Sequence, residues 1–155
     1  MSGLAARHRP AWSDRFRVPE AHSLVGELPR AFGPAVEHAR RILTGTHAFT
    51  ESVCWQGVWN WCLRYGPNPM PPIACAYVVP DPAKPRLCIP FPEFTLRAMS
   101  PKRVGKSVRD TLVHAPSVNG IRWATWDIQS KAQVEEVLDL VTLGLTVQPP
   151  MAAAT

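Results

Sequence analysis

Nothing in this chain approaches an uninterrupted apolar run of 18 residues, which excludes a membrane-spanning helix as the organising element. Its four cysteines, at 54, 62, 75 and 88, contain no C-x-x-C pair, so neither a zinc ribbon nor a thioredoxin-type redox motif is present. Met1 to Arg17 is basic but lacks the apolar stretch of a secretory leader. These absences lead to the expectation of free, mostly buried thiols in a cytoplasmic protein with no metal and no cofactor. Paired acids spaced for general acid–base work are missing too. Gly105-Lys106-Ser107 has the end of a phosphate-binding loop but not its beginning, since the glycine required five residues earlier is replaced by Ser100.

Proline, by contrast, is abundant: 17 in 155 residues, about twice the usual share of roughly 5%. Much of it falls in the stretches 68–72, 79–85 and 89–92, where it marks turns between short strands. Such a length suits one domain able to bury a large core without disulfides or metals. Residues 1–19 carry Arg7, Arg9, Arg15 and Arg17 with little periodicity and read as a flexible basic arm, with Trp12 and Phe16 available to tack it to the body. The domain proper is expected over 20–146, and a disordered tail over 147–155.

Two tryptophan-bearing segments dominate the interior of the sequence. In 51–65, Val53, Trp55, Trp59, Trp61, Leu63 and Tyr65 all fall on odd positions, the pattern of one strand with a continuous apolar face. On one such strand Cys54 and Cys62 would stand roughly 26 Å apart, too far to share a metal. Shorter strands follow at about 74–79 and 86–90, joined by a proline-rich hairpin, and a fourth spans 121–128 after the Asn119-Gly120 turn. Helices are predicted before residue 28, over 34–43, from Ser100-Pro101 to about His114, and after Ser130. Ser130 and Gln133 form a capping box, and Val134, Val137, Leu138 and Val141 repeat with helical period. This order predicts an α+β fold: a curved antiparallel sheet of about four to five strands with helices packed on one face.

The run Glu51-x-x-x-Trp55, then Ala74-Cys-Ala-Tyr-Val-Val79, a proline-rich hairpin, and Gly120-Ile-Arg-Trp-Ala-Thr-Trp-Asp-Ile-Gln-Ser130 before an amphipathic helix resembles the YdhG-like group of uncharacterised bacterial domains. The resemblance covers roughly residues 30 to 145. That group is similar in fold to frataxin and the YjbR-type double-wing proteins, which implies a compact sandwich of helices over a curved antiparallel sheet. The basic arm and the additional loop prolines depart from its shortest members. Iron delivery, as in frataxin, would need an acidic surface, and the corresponding segments here are neutral or basic.

Charge is uneven: +3 over residues 1–50, +4 over 51–128 and −2 over 129–155. Arg97, Lys102, Arg103, Lys106 and Arg109 lie within an acid-free stretch, with Lys102, Lys106 and Arg109 spaced to share a helix face. Such a stripe suits a nucleic acid or another polyanion, and equally a solvated helix face. The indoles offer a platform for a planar ligand. Trp126, or Trp59 if the strand bulges at Gly57, is expected to be partly exposed, flanked by Arg64 and Arg122 on the side opposite the main apolar set. His114, at a helix end that favours a protonated imidazole, has no cysteine or serine partner at a recognisable spacing. His38 and His47 read as surface residues, and Glu51 and Asp127 as markers of strand ends. The leading expectation is a small non-enzymatic module binding a small ligand or a protein partner. Polyanion binding, an enzyme with an unseen Cys/His site, and a homodimer paired through a sheet edge are the alternatives.

Overall fold

A computed structural model describes residues 10–98 and 104–146. Helices α1 (Ala21–Gly26) and α2 (Gly33–Arg41) lead through a wider π turn, Ile42–Thr46, into β1 (Thr50–Trp55) and β2 (Trp61–Gly66). Next come β3 (Ala76–Val79), β4 (Arg86–Pro92), α3 (Glu93–Ala98), α4 (Lys106–His114), the short β5 (Ser117–Val118), β6 (Ile121–Asp127) and α5 (Lys131–Thr146). The strands form a six-stranded sheet in the order β1-β2-β3-β4-β6-β5, antiparallel throughout, so the fold is α+β with one strand more than the upper expectation. The addition is β5, two residues long, which pairs with the start of β6 across a turn where Asn119 (φ 52°) and Gly120 (φ 78°) are both left-handed. That is the two-residue hairpin turn the Asn-Gly dipeptide favours.

The predicted single strand 51–65 is in fact two. Gly57 and Asn60 both adopt positive φ, and Gln56 N–H donates to the Asn60 carbonyl at 2.8 Å, closing a five-residue loop. The loop sets Trp55 opposite Trp61, so odd residues on both sides of the reversal keep facing the core. This is why a strand-like alternation ran unbroken through a turn. It also places Cys54 directly opposite Cys62, which replaces the expected separation of roughly 26 Å by the spacing of cross-strand neighbours, about 5 Å.

One face of the sheet holds the main core. Leu63, Tyr65, Val78, Leu87, Ile89 and Ala124 are buried there against Leu24, Val36, Leu43, Val137 and Leu138 of the helical layer. Helix α5 starts with one half of its capping box, Gln133 N–H donating to Ser130 Oγ at 3.1 Å; the return bond is displaced by one residue, Gln133 Oε1 accepting from Gln129 N–H, and Nε2 donates to the Asp127 carbonyl. Helix α4 packs against β6, with Val108 and Leu112 buried. The described part of the segment expected to be an arm is docked. Trp12 Nε1 donates to the Trp59 carbonyl at 3.0 Å, Trp61 Nε1 to the Asp14 carbonyl at 2.7 Å, and the Arg15 guanidinium lies 5.8 Å from the Trp55 ring. Phe16 takes no part in that docking, being 92% exposed. The tail after Thr146 lies outside the described residues.

Candidate functional site

The second face of the sheet carries the even positions of β2 and β4 and the odd positions of β3 and β6. Strand register lines up Ser52, Arg64, Tyr77, Cys88 and Thr125 in one row across it. Ala74, Tyr77 and Cys88 are buried on this side, and Cys54, Trp59, Met70 and Trp123 pack around them. The 3-10 turn that follows left-handed Gly57 carries Trp59 over this face. Its ring centroid lies 6.1 Å from Tyr77 and 6.4 Å from Trp123, and Tyr77 lies 6.0 Å from Trp123. All three pairs are tilted or edge-on, the arrangement that aromatic quadrupoles favour. The Tyr77 hydroxyl accepts the Ala74 N–H at 3.0 Å, which fixes the phenol ring.

Beside this trio, between the sheet and α4, runs a groove in two lobes. The aromatic lobe, about 500 Å³, is lined by Trp59, Trp123, His114, Ala115 and Pro116. A polar lobe of about 300 Å³ is lined by Ser107, Trp126, Asp127, Gln129 and Gln133. Thr111 and Thr125 line both and mark where they meet. The groove exists because β5 is so short. Beyond its pairing with residues 121 and 122, the outer edge of β6 faces α4 instead of another strand.

Of the sequence-predicted ligand residues, Trp59 reaches the groove and Arg64 shares its sheet face, donating from Nε to Ser52 Oγ at 2.7 Å. Two placements are corrected. Trp126 is not the partly exposed indole: it is 6% exposed and belongs to the main core, because even positions of β6 face the helices. Its neighbour in the groove is Trp123, three residues earlier, on the odd face with Thr125. Arg122 shares the even parity and is drawn away from the aromatic face. Its guanidinium donates from Nε to Glu93 Oε1 (3.1 Å) and from Nη1 to the Val113 carbonyl (2.8 Å), tying β6 to the start of α3 and the last turn of α4. Arg122 therefore positions the helical wall of the groove. Glu93 is held below its ordinary value by the Ser117 hydroxyl and then by Arg122.

The basic stripe is only partly within the described residues. Arg97 lies exposed on α3, whereas Lys106 and Arg109 lie on α4, which begins at Lys106 and not at the predicted Ser100-Pro101; Lys102 and Arg103 are outside the described residues. The N-terminus of α4 has an acid beside it already, since a methyl group on Gly105 would run into the Glu136 carboxylate.

Three of the four cysteines lack the character of nucleophiles. Burial pushes the Cys62 and Cys75 thiols up, and Cys88 is pushed up to about 11 by burial against the opposing hydrogen bond from Thr125. Among the described residues, no three His, Cys, Asp or Glu side chains are arranged to hold a metal ion, and no helix is long and apolar enough to cross a membrane. No family model, curated protein or solved structure matches the chain.

Proposed function

We propose that this protein is a small-ligand-binding module whose ligand is an uncharged molecule with a planar ring, seated in the aromatic lobe beside Trp59 and Trp123. The observation that carries this reading is a pocket of ligand size whose lining contains two indoles, two threonines and a histidine, but no Lys, Arg, Asp or Glu. Indole faces and edges hold flat rings by stacking and edge contacts, worth about 1–3 kcal/mol per ring. A charged ligand would lose its hydration there without a counter-ion. Membership of the YdhG-like group is part of the same proposal, supported by the residues of the Trp-bearing strands and by an α+β sheet of the implied kind.

The test is ligand-observed saturation-transfer NMR with adenine, nicotinamide and indole as probes. At least one is expected to bind with Kd of about 1 mM or tighter, equivalent to about 4 kcal/mol. Trp123→Ala is expected to weaken it at least tenfold, and His114→Ala, at an exposed position, gives a variant whose folding is not in question. Absence of transfer to any probe, or transfer unchanged in both variants, overturns the reading.

A further inference from the structure

The polar lobe is not explained by a flat ring alone. Trp126 lines it, and its Nε1 is buried with no hydrogen-bond partner among the described residues. Indole N–H groups are donors only, and a buried unpaired donor costs about 1–3 kcal/mol, so an acceptor in the lobe would relieve it. Backbone groups point the same way. Glu93 N–H donates to the Gly120 carbonyl on the β4 side of β6, and Trp123 N–H donates to the Pro116 carbonyl on the other. Antiparallel alternation then turns the N–H and C=O of Thr125 toward the outer edge, where α4 and the groove lie. Thr125 therefore offers one donor and one acceptor at the junction of the lobes.

The remaining lining decides the class of ligand. Asp127, bridged to Lys84 at 3.2 Å, supplies a carboxylate acceptor, and the Gln129 amide supplies both roles. Asp127 in the lobe and Glu136 beside the first turn of α4 oppose an anion there. The Asp127 carboxylate already has Lys84 as its cation, and an ammonium ion, which only donates, would leave the Trp126 N–H without an acceptor. A hydroxyl both donates and accepts, and a polyhydroxylated group fits this mixed lining best.

We infer that the groove takes a neutral ring carrying a sugar, the ring beside Trp59 and Trp123 and the sugar hydroxyls in the lobe lined by Trp126, Asp127 and Gln129. This rests on the ring-binding reading above. Two sources share the chemistry, a nucleoside and an aryl glycoside, and the assay separates them.

The experiment is isothermal titration of the full chain with adenosine, adenine and AMP, and in parallel with phenyl β-glucoside and phenol. Adenosine or the phenyl glucoside is expected to bind at least tenfold tighter than its own aglycone, and whichever does so identifies the source. AMP is expected to bind more weakly than adenosine. Trp126→Phe and, at a half-exposed position that does not threaten folding, Asp127→Asn are expected to remove the tenfold gain while leaving aglycone affinity unchanged. Aglycones binding as tightly as their glycosides, or AMP binding tighter than adenosine, overturns this inference and leaves ring binding standing. Absence of binding by every probe overturns both.

Discussion

Glu51 shows how one side chain ties the helical layer to the edge of the sheet. It accepts from Arg40 Nε and Nη2 at 2.9 and 2.8 Å and from the Tyr65 hydroxyl at 2.7 Å. Burial opposes its charge, but the hydrogen bonds from Arg40 and Tyr65 outweigh that and hold its carboxyl below the ordinary value. The Tyr65 phenol is pushed up, by burial first and then by Glu51, so it remains the donor. Because the folded-state value of Glu51 is depressed, the stability it contributes is present above the unfolded carboxylate value of about 4.3 and is lost as pH falls through the folded value. Glu51→Gln is expected to cost about 1.5–3 kcal/mol at pH 7, with the difference from wild type shrinking below about pH 4, measured by urea denaturation across pH. A gap that stays constant down to pH 3 would refute the linkage. The sequence alone suggested only a strand-end acid here, since both partners are brought in by the fold, Arg40 from a helix and Tyr65 from the neighbouring strand. The thiols divide by the same logic of burial. Cys62 and Cys88 are both 0% exposed and held protonated, so iodoacetamide is expected to label half-buried Cys54 in the native state and the other two only on unfolding, as read by peptide mass spectrometry.

Among the elements, those whose signals are local were legible and those set by parity across a turn were not. The α5 start is local: Ser130 and Gln133 are three residues apart and bond as expected. Gln133 also reaches Gln129 and Asp127, so it joins the end of β6 to the helix that follows. Ser130→Ala is therefore expected to cost about 1 kcal/mol by loss of its cap bond, and Gln133→Ala more, because two further backbone groups lose a partner. Equal losses in thermal or urea melts would count against that ranking. The β1–β2 hairpin is the opposite case. Gly57 and Asn60 are residues suited to left-handed backbone, yet alternation continued across them, and one long strand was the simpler reading. Trp59 falls with its odd neighbours on the core face of such a strand and leaves it only if the chain departs from the strand at Gly57, as it does in the turn that carries Trp59 to the other side. The Trp123 and Trp126 assignment depended on which parity of β6 meets the helices, and the strand has tryptophan on both. Thr111, Thr125 and His114 become groove residues only because α4 lies along β6, a tertiary relation with no short-range signal.

For the molecule as a whole, the formal charge of +5 invites a polyanion as partner, yet several of the described cations already face acids. Arg40 is committed to Glu37 and Glu51, Arg122 to Glu93, and Lys84 to Asp127. Arg97 and Lys106 lie on different helices, and Arg64 bonds Ser52 on the aromatic face. The groove itself is lined by no Lys or Arg in either lobe. Ionic strength should therefore separate the proposed groove binding from polyanion binding. Affinity for a neutral probe in the groove is expected to change less than about twofold between roughly 50 and 200 mM salt, since no counterions are released. A labelled DNA or RNA duplex, held by several phosphate contacts, would lose about 10³-fold or more over the same interval. Fluorescence anisotropy with the duplex and calorimetry with adenosine, on one preparation at both salts, make the comparison direct. If the duplex binds tightly at low salt, and Lys102→Ala/Lys106→Ala/Arg109→Ala abolishes that binding without touching adenosine, the basic segment is a second functional surface. Loss of adenosine binding in step with salt would instead mean that charge, and not the paired indoles of the sheet, governs the site.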